Sequence, residues 1–289
     1  MKKILSVLLA LLLLCACGNN SQEEISLDIS SAKSIDDLKG AKIAVQTDLH
    51  EELAKQIEDV NYTFYKDFDM EATAVKAGVE DGAIMDEPAA ISYCQKDPSF
   101  GYVALKNNDN GFEVAEADYA NAAAFKKGNA LRDEVEKVIS SLTMDVYYQL
   151  MQEVLKVEAG ESIDSFVIDN ITDGAFSNGT LVVGMECASA PFNWTDVDGE
   201  SFGSAIIAHG EGEGLPCNGL DVQVAKFVAK QLGLNLEVYA LEWDSLLPAL
   251  DSGAIDCVIG NMSPREDRKI NYDFTSSYYN VNYVVLYKK

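Results

Sequence analysis

Short apolar runs alternate with amphipathic stretches along most of the chain, and the two periods can be read separately. Ala41-Lys42-Ile43-Ala44-Val45-Gln46, after the turn at Lys39-Gly40, has the length and continuity of a buried strand. A helix is predicted from Asp48, a strand over Tyr62 to Tyr65, and a helix over Asp69 to Val79. A strand at Ala83 to Met85 ends at Asp86, and Glu87 to Cys94 reads as the helix that follows. Tyr119 to Lys126 reads as one more strand. Asn129 to Leu155 reads as one or two amphipathic helices, with Leu131, Val135, Val138, Ile139 and Leu142 at helical spacing. The pattern weakens into Gly, Ser, Asn and Asp between Lys156 and Thr180, then resumes. From there we predict strands at Leu181 to Gly184, Leu236 to Tyr239, Ile255 to Ile259 and Tyr283 to Tyr287. Helices are predicted at Asp221 to Leu232 and Leu246 to Leu250. Short strands interleaved with helices argue for an α/β protein with parallel or mixed sheets.

The first residues change the picture of where the protein works. Lys2 and Lys3 precede the apolar run Ile4 to Leu14, which ends in Leu14-Cys15-Ala16-Cys17. That is the layout of an export signal, and the run is short of the roughly 20 apolar residues that span a bilayer. A net charge of −25 argues against nucleic acid or an anionic lipid surface as partner. Four cysteines remain beyond the leader, Cys94, Cys187, Cys217 and Cys257; none has C-x-x-C spacing, and the chain has only two His. No metal site or other cofactor is expected from that set. Cys187 and Cys217 flank one loop and are a candidate disulfide, with buried free thiols as the alternative.

The stretch from Leu181 to Lys289 (LVVGMECASAPFNW, then GLDVQVAKFVAKQLG, IDCVIGNMSPREDR and YDFTSSYY) resembles the N-terminal lobe of the polar amino acid solute-binding proteins that serve ABC importers. The preceding segment resembles the part that follows in that family, so the order looks circularly permuted. The resemblance covers about residues 34 to 155 and 181 to 289 and implies a two-lobed, type II periplasmic-binding-protein-like α/β fold. Leu-x-Ala-Cys likewise resembles the bacterial lipobox, which implies lipidation of Cys17; an ordinary cleaved signal is the alternative. The organisation implied is a signal peptide at 1–16, a lipid-anchored linker at 17–33, and a lobe at 34–124 resembling the family's second lobe. A lobe at 125–289 resembles its first, with helices at 125–155, a connector at 156–180 and the ancestral N-terminal segment at 181–289. The break would fall in one of the two crossover strands, leaving one covalent link between the lobes and a looser hinge.

Matching residue by residue, Arg268 would clamp a ligand carboxylate with its guanidinium fork. Ser263 would add a hydroxyl, and Gly260, Asn261 and Met262 would face the ligand. Asp86 matches the aspartate that accepts the ligand's ammonium, with helix N-capping as a competing role. Trp243 would stack on the ligand or pack in the core. Glu186 matches an acid found in members for basic amino acids, and Phe192 is either wall or contact. The chain departs from the family at Asp48-Leu49-His50, where Gly and Ser/Thr donors are usual, and at Arg265, where Thr is usual. Either His50 or Arg265 would compensate, or the ligand would be a dipeptide, amine or amino acid derivative without the usual carboxylate geometry. The resemblance implies a monomeric, non-catalytic receptor, held outside the cytoplasm through an N-terminal lipid on the cell membrane. It would capture a small-molecule ligand such as an amino acid for an ABC permease. A sensing lipoprotein without a transporter, or a dehydratase acting on arogenate or prephenate, are the alternatives.

Overall fold

The computed structural model describes residues 27–169, 179–199 and 201–289. The signal run and Cys17, and part of the predicted connector, lie outside the described residues. Two sheets divide the chain into two α/β lobes.

The first lobe opens with β1 (Lys42–Val45), α1 (Asp48–Ala54), β2 (Asn61–Phe64), α2 (Phe68–Ala77), β3 (Gly82–Asp86), α3 (Glu87–Lys96) and β4 (Phe100–Val103). Local chemistry sets these boundaries. The Asp67 side chain accepts from the Met70 N–H at the start of α2, and Gly78 ends that helix in the left-handed region. Burial follows the apolar runs: β3 is buried along its whole length, and Ile43, Ala44 and Val45 of β1 are buried. β1 runs parallel to both β2 and β3.

The chain then crosses through α4 (Glu116–Tyr119) and β5 (Ala120–Asn121) into β6 (Ala124–Lys126) of the second lobe. Predicted as one strand, Tyr119 to Lys126 is broken because its two halves pair with different partners. α5 (Leu131–Ile139) and α6 (Met144–Glu158) follow, then β7 (Thr180–Met185), β8 (Ala188–Ser189), β9 (Asn193–Thr195), β10 (Ala205–Gly210) and β11 (Pro216–Asn218). Next come α7 (Leu220–Leu232), β12 (Asn235–Ala240), α8 (Trp243–Ser252), β13 (Cys257–Val258), α9 (Glu266–Lys269) and β14 (Tyr272–Phe274). The second sheet has the order β14-β6-β13-β7-β12-β10-β11-β9-β8. Parallel pairing of β7 with β12 and β13 forms its buried centre. α7 presents Leu220, Val224, Phe227 and Val228 to that sheet, and Gly233 ends it in the left-handed region.

β15 (Tyr279–Asn280) leads back across, and β16 (Tyr283–Lys288) completes the first sheet, whose order is β2-β1-β3-β16-β4. β16 is antiparallel to both neighbours. This corrects two expectations. The lobe drawn at 125–289 loses its last strand to the other sheet, because Tyr283–Lys288, buried from Tyr283 to Leu286, pairs with both β3 and β4. The lobes are also joined by two covalent crossovers rather than one, and β5 and β15 pair antiparallel as a two-stranded hinge. Asn107 and Asn282 lock it: the Asn107 N–H donates to Asn282 Oδ1, and the Tyr283 N–H donates to Asn107 Oδ1. Behind the hinge, α6 touches both lobes, with Tyr148 edge-on to Tyr279 and Glu158 accepting from Ser92 and Lys96.

Candidate functional site

Strand ends converge where the lobes face each other. One cavity between them is lined by Gln46, Thr47, Leu49, His50, Phe68, Asp86, Asn121, Glu186, Ser189, Trp243, Asn261, Ser263, Arg268 and Tyr283. Its free volume is about 40 Å³, far below the roughly 300–1,000 Å³ of small-molecule pockets. A ligand enters this pocket only when its side chains rearrange or the lobes part, and a larger cavity of about 590 Å³ lies between the same lobes, lined by Lys66, Tyr93, Glu186 and Glu242 among others.

Asp86 ends β3 with its side chain directed into this cavity. It occupies the N-cap position of α3 without making a capping bond, so its carboxylate is not consumed by the helix. Asn261 of the opposite lobe donates from Nδ2 to Asp86 Oδ2 at 2.6 Å. Burial pushes the Asp86 carboxyl up to about 6, and the Asn261 hydrogen bond works against that rise. Arg268, on α9, is the cation facing it from the other lobe. Its Nη1 donates to the Ser263 carbonyl at 3.0 Å and to Ser263 Oγ at 3.2 Å. The guanidinium lies 5.5 Å from the centroid of the Trp243 ring, so Trp243 shapes the cavity by stacking on the arginine. Burial and the neighbouring Arg265 charge bring Arg268 below its ordinary value.

His50 is buried at the mouth of α1, its ring stacked at 5.8 Å on Phe68 and edge-on to Tyr283. Burial pushes the imidazole down to about 4 and keeps it neutral. Its Nδ1 has no protein partner. Thr47 caps α1 through the His50 N–H, which explains why a chain lacking the usual donors at Asp48-Leu49-His50 still starts a helix here. Glu186 sits on the far wall and accepts from Ser189 Oγ at 2.7 Å; burial raises its carboxyl, against the pull of that hydrogen bond.

The structure thus brings Arg268, Asp86, Ser263, Trp243, Glu186, Asn261 and His50 to one cavity. Gly260, Met262 and Phe192 are not among its lining residues. Met262 is buried in the cluster of Leu246 and Phe274, and Phe192 is buried edge-on to Tyr279. Gly260 packs its Cα side against Met185, where a Cβ would come within 3.3 Å of Met185 Cα. Those three support the wall from behind. Arg265 crosses the cleft to Glu52 at 2.7 Å, and Lys66 crosses to Glu242 at 2.9 Å.

Sequence reasoning missed Asn121, whose Nδ2 donates to Asn261 Oδ1, and Asp221. Asp221 is wholly buried and accepts from Asn193 Nδ2 and the Tyr278 hydroxyl, both at 2.7 Å. Burial pushes it up to about 7, and the Asn261 backbone N–H is among the donors that oppose this. The signal was present in Gly219-Leu220-Asp221, an acid placed at the buried start of an apolar helix. Cys187 and Cys217 are free, buried thiols, the alternative to the disulfide. Among the described residues, no group of His, Cys, Asp or Glu forms a metal cluster, and no helix is long and apolar enough to cross a membrane.

A family model for bacterial extracellular solute-binding proteins, family 3, matches residues 210–289. The L-cystine-binding protein TcyJ of Escherichia coli (strain K12) is 32% identical over 120 residues, covering 42% of this chain and 39% of that protein. The L-cystine-binding protein TcyA of Bacillus subtilis (strain 168) is 32% identical over 135 residues, covering 45% and 44%. The arginine-binding extracellular protein ArtP of the same organism is 39% identical over 77 residues, covering 27% and 30%. The chain spans less than half the length of each of these relatives. Over residues 210–289 the chain is similar to the bacterial extracellular solute-binding proteins, family 3.

Proposed function

We propose that the protein is an extracytoplasmic receptor that closes two lobes over a free amino acid and presents it to an ABC permease. One observation carries the reading: Arg268 of one lobe and Asp86 of the other line a single cavity at the ends of their sheets. A guanidinium fork fits a carboxylate, and a buried carboxylate fits an ammonium. A zwitterion touches both, so its binding energy is gained only when the lobes are together. Cystine and arginine, the ligands after which those relatives are named, are themselves amino acids. Lipidation at Cys17 would hold the receptor at the cell membrane. Segment order relative to the family is read as a circular permutation: β16 fills the first sheet between β3 and β4, next to segments that precede it in the chain. The retained two-stranded hinge is consistent with a clamshell that still works in that order.

The test is isothermal titration of the mature protein against the free amino acids, alongside Arg268→Ala and Asp86→Ala. At least one amino acid is expected to bind the wild type and neither variant. Undiminished binding by both variants removes the site.

A pH series provides a second check. An ammonium needs Asp86 ionised, and this carboxyl titrates near 6 in the unliganded protein. Affinity is therefore expected to rise with pH through about 6 and level off above it, falling about tenfold per unit below. The neighbouring His50, pushed down to about 4 by burial, is largely neutral near pH 6, and burial raises the Glu71 carboxyl well above its ordinary value. A flat profile from pH 4.5 to 8 contradicts ammonium recognition by Asp86.

A further inference from the structure

Asp86, proposed above as the ammonium acceptor, already takes a hydrogen bond from the opposite lobe. Asn261 reaches from the second lobe and gives a side-chain N–H to Asp86 Oδ2 at 2.6 Å. Asn121, on the hinge strand β5, gives its own side-chain N–H to Asn261 Oδ1. The result is a relay from hinge to second lobe to first lobe, spanning the interface in which the ligand would lie. Asp86 is 4% exposed and Asn121 3%, while Asn261 between them is partly exposed. Asn261 also holds an unusual backbone, with φ at 52°, in the left-handed region that Asn tolerates and Gly prefers. Its backbone N–H is among the donors to the buried Asp221, which fixes the turn that aims the side chain. Together with the small free volume of this cavity, this describes a pocket at Asp86 occupied by the protein's own carboxamide.

We infer that Asn261 is an internal stand-in for the ligand's amine: it latches the unliganded lobes and acts as a charge filter on what can enter. This rests on the reading of Asp86 as the amine acceptor. To seat, a ligand must displace the carboxamide from Asp86. A neutral amide or N-acyl group replaces one neutral donor by another and gains nothing for parting the relay. A protonated amine replaces it by a charge-assisted bond, about twice as strong. The specificity that follows is for ligands with a free, protonated amine, at the expense of absolute affinity, since part of the binding energy is spent on breaking the latch.

Asn261→Gly removes the carboxamide and suits the backbone, so the variant is expected to fold. Small-angle scattering of the unliganded proteins reads the latch without any ligand. The radius of gyration of Asn261→Gly is expected to exceed that of the wild type, and equal radii overturn the latch. Titration then uses L-arginine, L-cystine and Nα-acetyl-L-arginine as probes. Whichever free amino acid binds is expected to bind Asn261→Gly at least fivefold more tightly, with the acetylated probe excluded from the wild type. Equal or weaker binding by the variant overturns the displacement. Should neither free amino acid bind either protein, the chosen ligand class falls, while the scattering comparison still decides the latch.

Discussion

Replacing Arg268 with alanine is expected to weaken amino acid binding at least a hundredfold while leaving the protein folded. The guanidinium is the charged donor group that faces the cavity from the second lobe, and its bonds to Ser263 fix its aim. Truncating one partner of a buried, charge-assisted pair costs about 2–5 kcal/mol, and roughly 2.8 kcal/mol is a hundredfold. Folding should survive because α9 has no buried residue. Loss of the guanidinium also uncovers the Trp243 ring, so the tryptophan fluorescence of the unliganded variant should change. Arg268→Lys should recover little, since an ammonium has neither the fork nor the flat face that stacks on indole. Calorimetry on the amino acid that binds the wild type decides the matter; a dissociation constant within threefold of wild type would refute the assignment.

Asp221→Ala should show the largest loss of stability, about 3–5 kcal/mol. The substitution strands the Asn193 amide and the Tyr278 hydroxyl, both pointing at Asp221 from buried positions. Each buried donor left without a partner costs about 1–3 kcal/mol. The wild-type acid is itself costly to ionise. Burial pushes its carboxyl from the ordinary 3.8 up to about 7, so the native state holds more protons than the unfolded chain between those values. That contribution to stability declines as pH rises through the window. In the alanine variant the decline should flatten. Urea midpoints at pH 4.5, 6 and 8 measure both effects, and a shift under 1 kcal/mol at every pH would mean the buried network carries no stability.

Much of the fold was legible because buried strands and amphipathic helices leave different periods in the sequence. Ile43 to Val45, Ala83 to Met85 and Val182 to Gly184 are apolar because both faces of their sheets are covered. The short strands β8 to β11 gave no such signal: Ala205–Gly210 is mostly intermediate or exposed, and its identity comes from pairing. β16 was found as a strand but placed in the wrong lobe, since period reports burial and says nothing about which sheet does the burying. At the cleft, charged residues could be matched to chemistry, and Arg268 and Asp86 line one cavity. Met262 and Phe192 misled because an apolar residue beside a binding motif looks the same whether it forms the wall or supports it. Asn121 was hidden in a run of small residues, where only the hinge pairing reveals its aim.

The ion pairs that cross the mouth, Arg265 with Glu52 and Lys66 with Glu242, have a consequence for habitat. The Lys66 and Glu242 side chains are 60% and 54% exposed, so their attraction is screened within about 10 Å at 0.1 M salt and about 3 Å at 1 M. Such pairs are worth roughly 0–1 kcal/mol, small beside a whole fold yet comparable with the balance between a gaping and a shut clamshell. Brine should therefore widen the resting aperture and dilute media narrow it, making salinity a dial on how far the cleft stands open.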